Sequence, residues 1–202
     1  MGSDKAFLEL GGQTLLDRAL AVMAAVCDRV MIVGDPAKFT KYKSKSTKYK
    51  STKDESRRKD ESRRVDGVVA DIFPGCGPLA GIHAALVSSN AELNLMLAVD
   101  MPFVSAELLA FLFAAAEKND AIVTVPRSSK GLQPLCAVYR RGFSTVAEEA
   151  LRAGKYKIDA VFARVPTTVI EESELTAARF SEQSFFNVNT PQERIAAEDQ
   201  SL

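Results

Sequence analysis

The run LNLMLAVDMPFVS, from Leu93 to Ser105, constrains the fold of this chain more than any other stretch. Leu95, Met96, Leu97, Ala98 and Val99 are continuously apolar, too short for a free-standing helix and without the alternation of a half-exposed strand. They predict a strand buried on both faces, which belongs in the middle of a parallel sheet. The run stops at Asp100, and Pro102 cannot donate a ladder hydrogen bond, so Asp100 falls at the carboxyl end of the strand. Open α/β sheets bind ligands at that edge. A carboxylate there suits Mg²⁺ carrying a nucleotide's phosphates, and suits equally a cap on the turn into the next helix.

The chain on either side alternates in the same way. Thr14 can cap a helix whose apolar residues Leu15, Leu16, Ala19, Leu20, Met23 and Val26 fall at helical spacing, and a β-branched strand follows over Val30 to Val33. No strand precedes that helix, and the chain opens on polar Ser3, Asp4 and Lys5, so the expectation is a start further upstream or a sheet lacking a member. Val65 to Val69 predicts a strand ending near Asp71. Pro78 then suits the first turn of a helix with Leu79, Ile82, Leu86 and Val87 on its core face. Between them Pro74, Gly75 and Gly77 allow backbone to approach a ligand at a helix N-terminus, although proline and glycine also simply make turns. His83, the only histidine, reads as a packed residue.

Further along, a helix buried nearly all round starts at Ser105, and strands are predicted over Ala121 to Val125 and Leu135 to Tyr139, with RSSKGLQ as the loop between them. Ser144 to Ala153 reads as a helix closed by Gly154, Thr167 to Ile170 as a strand and Phe185 to Val188 as a last strand. Thr190, Pro191 and Glu193 have the pattern of a capping box. Strand and helix alternate throughout, which predicts an α/β, doubly wound, mostly parallel sheet in three αβα layers. Right-handed crossovers would make 30–33, 65–69 and 95–99 parallel neighbours or near-neighbours, with Asp71 and Asp100 on one carboxyl edge.

Residues 37–64 are of another kind. TKYKS occurs at Thr40 and again at Thr47, and KDESRR at Lys53 and again at Lys59. Residues 38–64 carry twelve Lys or Arg against four Asp or Glu, so a formal net charge of zero hides an excess of eight acidic charges in the remainder. Exact duplication with almost no apolar residue predicts a solvated insertion in one domain spanning 1–202, rather than a shaped nucleic-acid site. No apolar run approaches membrane-spanning length and no signal pattern opens the chain, which reads as cytoplasmic without a membrane partner. Cys27, Cys76 and Cys136 form no CxxC pair and read as small apolar residues, which argues against a disulfide framework and a zinc site.

GSDKAFLELGGQTLL, VVADIFPGCGPLAGI, LAVDMPF and FFNVNTPQE, in this order, resemble the molybdenum cofactor guanylyltransferases over all of the chain except 37–64. The resemblance implies a Rossmann-like nucleotidyltransferase fold, of the nucleotide-diphospho-sugar-transferase kind, that joins GMP from GTP to molybdopterin-bound molybdenum with Mg²⁺ and releases pyrophosphate. It implies that Lys5 neutralises the triphosphate, Asp71 lies at the nucleotide site, Asp100 ligates Mg²⁺, and Asn187 and Asn189 lie on the pterin side. Such a family opens with an apolar strand and a glycine-rich LAGGxSxRMG loop. Only Met1 to Lys5 of that text stands here, and the expectation is weakened triphosphate binding. The alternatives are a nucleotidyltransferase using CTP or a sugar phosphate, and a catalytically impaired binding or assembly module. Partners implied are GTP, the molybdopterin cofactor and other proteins of molybdenum cofactor or molybdoenzyme assembly.

Overall fold

The computed structural model describes residues 5–42, 65–188 and 193. A 3₁₀ turn at Lys5–Phe7 leads into a short hairpin, β1 (Glu9–Leu10) and β2 (Gln13–Thr14), and then α1 (Leu15–Ala24). Thr14 caps α1 by accepting the Asp17 N–H at 3.1 Å. Beyond lie β3 (Met31–Val33), β4 (Gly67–Val69), α2 (Pro78–Ser88), β5 (Leu93–Leu97) and α3 (Ala106–Glu117), the last capped by Ser105. The chain continues through β6 (Val123–Ser128), β7 (Gly131–Leu132), β8 (Cys136–Arg140), α4 (Phe143–Arg152), α5 (Ile158–Phe162), β9 (Thr167–Ile170) and α6 (Glu172–Ala177).

Most of the core surrounds a five-stranded sheet in which β5 pairs with β8 and β8 with β6, while β6 also pairs with β7 and β9. Along β8, Ala137 and Tyr139 face α2, α4 and α5, while Cys136 and Val138 face α3. That alternation explains why β8 reads as a continuous apolar run, since helices cover both faces. The Tyr139 hydroxyl donates to the Pro134 carbonyl at 2.7 Å, which satisfies the one polar atom of a fully buried ring.

Four expectations are corrected. Among the described residues the strand over 93–97 does not share a sheet with 31–33 and 67–69, as neighbour or near-neighbour. It pairs antiparallel with β8, while β3 and β4 form a separate parallel pair. Its burial is also incomplete: Leu95 is buried and its strand neighbours are half-buried, because β5 is an edge. The polar loop after 125 is instead a tight hairpin, with β6 running on to Ser128 and pairing with β7. Phe185 to Val188 is not a strand, since Glu182–Phe185 forms a 3₁₀ turn followed by extended chain.

The segment from 37 joins the core at its start. Phe39 is buried with Ala6, Leu16, Leu20 and Ile32, and the Tyr42 hydroxyl donates to the Asp17 carboxylate at 3.1 Å. The repeats themselves lie outside the described residues, as does most of the capping box at 190–193. No described helix is long and apolar enough to cross a membrane.

Candidate active site

Asp100 follows β5 by three residues, in the turn that Met101 closes by donating its N–H to the Ala98 carbonyl. The turn leaves the Asp100 carboxyl half-buried, and burial raises its pKa above the ordinary carboxylate range. Two distant charges act on it: Lys5 favours the ionised form and Glu193 opposes it. Residues from the start, middle and end of the chain therefore meet here.

The link to the C-terminal segment is direct. Val188 donates its backbone N–H to the Asp100 carbonyl at 2.8 Å, and Val188 packs beneath with Leu10 and Leu15. This bond seats Asn187 next to the turn. The Asn187 Oδ1 is buried and has no hydrogen-bond partner among the described residues. A buried amide oxygen without a partner is costly, so its position calls for a ligand that donates to it or coordinates it. Asn189 lies outside the described residues.

Asp71 stands two residues past β4, exposed, at the mouth of a cavity that also reaches Val33, Gly77 and Val99. Its Oδ1 lies 3.8 Å from where a Cβ on Gly81 would stand, beside the first turn of α2. Gly77, at φ 73°, lies in the left-handed region that favours glycine and turns the chain into that helix with no side chain capping it. The amide end of α2 is thus presented to a ligand at the same mouth. Val99, the residue before Asp100, lines the same cavity as Asp71.

Among the described residues no three His, Cys, Asp or Glu side chains converge to form a metal cage. The donors present, the Asp100 carboxylate and the unpartnered Asn187 oxygen, are hard oxygens. They fit Mg²⁺, which keeps several waters and takes one or two protein ligands plus substrate phosphates.

Glu193 is the member of this cluster that sequence reasoning assigned only to helix capping. Its effect on Asp100 depends on where the C-terminal segment docks, which no local pattern encodes. His83 is a packed residue, as its place in the helix implied: it is 2% exposed, edge-on to Phe73 and 3.7 Å from a Glu148 carboxylate oxygen. The cysteines are free, and burial pushes the Cys136 thiol up to about 12.

Comparison with known proteins agrees with this geometry. Residues 1–168 match the family described as the MobA-like NTP transferase domain. A probable molybdenum cofactor guanylyltransferase of Pelotomaculum thermopropionicum is 36% identical over 98% of this chain and 85% of its own length. The molybdenum cofactor guanylyltransferase of Desulfosudis oleivorans is 31% identical over 98% of this chain and 87% of its own. Among solved structures, molybdopterin-guanine dinucleotide biosynthesis protein A of Archaeoglobus fulgidus superposes with a TM-score of 0.77 at 26% identity, covering 99% of this chain and 91% of that one.

Proposed function

The chain belongs to the MobA-like NTP transferase family, with molybdenum cofactor guanylyltransferases as its relatives, and from that premise we propose that it transfers GMP from GTP to molybdopterin, releasing pyrophosphate. The observation that carries the assignment of residues is the half-buried Asp100 carboxyl under the influence of Lys5, tied through Val188 to the unpartnered Asn187 oxygen. Residues 1–202 act as one nucleotidyltransferase domain, with the repeats of 37–64 as an insertion.

The reaction asks little of acid–base groups. The acceptor is a phosphate monoester, already an oxyanion near neutral pH, whose oxygen attacks the α-phosphorus of GTP while the bond to pyrophosphate breaks. No proton need move. Catalysis then consists of in-line placement and neutralisation of charge. Asp100 would hold Mg²⁺, with Asn187 assigned to the acceptor side, and the ion would supply Lewis-acid stabilisation of the phosphoryl oxygens. Lys5 offsets charge gathering on the leaving pyrophosphate. Asp71 and the amide end of α2 orient the nucleotide from the far side of the mouth. Asn189 lies two residues beyond Asn187 in the same text and is assigned with it to the pterin side.

The test separates activity from stability by means of Asp100→Asn. Guanylyl transfer should fall by about 10²-fold or more, the scale of losing a charge-stabilising group. Stability should move the other way. Burial raises the folded-state pKa of Asp100, so its contribution to stability is full below the unfolded-state pKa and is lost as pH rises through the folded-state value. Asn cannot ionise, so the variant should unfold at a slightly higher temperature than the parent near neutral pH, and the gain should shrink as pH falls to the carboxylate range. GTP with Mg²⁺ should raise the midpoint of the parent and CTP should not. Full transfer by Asp100→Asn would remove the metal assignment, and an equal response to CTP would remove the choice of GTP.

A further inference from the structure

The hairpin of β6 and β7 is fastened to the segment that carries Asn187. The Ser129 N–H and hydroxyl both donate to the Glu182 carboxylate, at 3.1 and 2.8 Å, and Glu182 opens the 3₁₀ turn that leads to Phe186 and Asn187. Within the hairpin the Ser128 hydroxyl oxygen accepts from the Lys130 N–H at 3.1 Å and from the Gln133 side-chain amide at 2.8 Å. The backbone of Lys130 is therefore held, while its exposed side chain reaches the Asn187 segment: the ammonium stands 5.6 Å from the centroid of the Phe186 ring. Among the described residues that ring, and not a carboxylate, is the partner of the ammonium.

Phe186 packs in turn on Phe103, with 6.2 Å between centroids and 58° between planes. Both rings are half-buried. Phe103 lies three residues past Asp100 and Phe186 directly precedes Asn187, so the pair joins the Asp100 turn to the Asn187 segment and leaves an aromatic surface beside the candidate site. On the guanylyltransfer reading the acceptor brings a phosphate monoester toward the triphosphate, past Asp100 and Glu193, and like charges repel. Lys5 is assigned to the leaving pyrophosphate, and Asn187 is neutral. A cation is called for on the acceptor side. The cation–π contact that holds the Lys130 ammonium is weak at an exposed position, and the stem is flexible, so an anionic oxygen displaces the ring readily.

We propose that Lys130 and the Phe103–Phe186 pair form the acceptor subsite: the ammonium binds a terminal oxygen of the acceptor's phosphate monoester, and the rings carry its flat, conjugated heterocycle. The inference rests on the guanylyltransfer reading for what the acceptor is. A monoester has several terminal oxygens, so one attacks the α-phosphorus while Lys130 holds another. Aromatic side chains suit a fused heterocycle because stacking needs only a π-face, whereas the charge on Lys130 selects the phosphorylated form. The Ser129–Glu182 clasp keeps the cation and the rings in one unit.

The probe is neopterin monophosphate, a pterin with a phosphate monoester on its side chain, titrated into the full chain without nucleotide and followed by pterin fluorescence. Unphosphorylated neopterin is the reference. The phosphorylated form should bind about tenfold more tightly, the scale of a charge-assisted hydrogen bond, and the preference should fall as salt rises. Lys130→Gln should remove the preference while leaving the reference bound as before, and Lys130→Arg should keep it. Lys118→Gln, an exposed lysine at the C-cap of α3, should not alter it. Phe103→Leu should weaken both forms alike, by about fivefold, because it removes aromatic surface and not charge. No preference in the parent, a preference that persists in Lys130→Gln, or unchanged binding by Phe103→Leu overturns the proposal. GTP and transfer do not enter these titrations, so their failure leaves the guanylyltransfer reading standing, and absence of GMP transfer by the parent would remove that reading without altering them.

Discussion

Two parts of the sheet system, built from similar residues, reach different degrees of order. In the five-stranded sheet Val123, Val125, Ala137 and Tyr139 are fully buried, and each of β6 and β8 has neighbours on both edges. In the β3–β4 pair only Ile32 is buried, and all three residues of β4 are half-exposed. Local composition does not account for the contrast, since Met31, Ile32, Val33, Val68 and Val69 are as apolar as anything in β6. What differs is pairing. A strand with two partners and two covered faces has its polar backbone satisfied, and its side chains touch neighbours all round. A strand with one partner beside a cavity forfeits contacts on its open side.

The largest effect that sharpens this comparison is a cavity made in the closed part. The Phe143 ring packs tilted against Tyr139 at 5.0 Å between centroids and edge-on to Phe162 at 5.9 Å, so Phe143→Ala should cost about 3–5 kcal/mol in denaturant unfolding. Ile32→Ala beside the cavity should lie at the low end for such a change, about 2 kcal/mol. Equal losses would mean that the β3–β4 pair is as tightly packed as the larger sheet.

A second contrast lies in the thiols. Cys136 is fully buried in the closed part with its thiol pushed up to about 12 by burial, whereas Cys27 lines the cavity and is only half-buried, its thiol raised by burial and by Asp28. Raised values leave less thiolate at neutral pH, so labelling of Cys27 should accelerate as pH climbs. Cys136 should react only as fast as the sheet opens. Comparable labelling of the two under native conditions would break the distinction.

The smallest effect concerns helix caps on the two sides. Ser105 caps α3 over the closed part and Thr14 caps α1 over the cavity, each accepting one amide N–H. Ser105→Ala and Thr14→Ala should each cost about 1 kcal/mol, because a cap acts within its own helix. A clearly larger loss at Thr14 would show that the Asp17 and Tyr42 contacts couple α1 to the β3–β4 pair.

Residues 93–100 announced a strand followed by a carboxylate, and the strand, the turn and the half-buried Asp100 are there, although the strand is a half-buried edge and not a central one. The helices from 78, 105 and 143 were legible for the same reason, since spacing, caps and proline act over a few residues and no tertiary contact overrode them. Lys5 was different. Nothing local separates it from an exposed surface lysine, and only its resemblance to relatives singled it out before its charge was found acting on Asp100. Phe39 went unread because one aromatic at the start of a basic repeat carries no period, and its burial depends on Leu16, Leu20 and Ile32 arriving from elsewhere.

The sequence by itself determined the helices from 15, 78, 105 and 143, most of the longer strands, and which carboxylate follows the apolar run at 93–97. Tertiary structure alone decided that β5 turns its paired edge to β8 and its open edge to a cavity, and that Lys5, Asp100, Asn187 and Glu193 gather at one end. The physical reason is range. Periodicity and capping are set by neighbours within a turn or two, whereas each strand edge offers the same donors and acceptors whatever its side chains, so the choice of partner depends on how the covering helices pack.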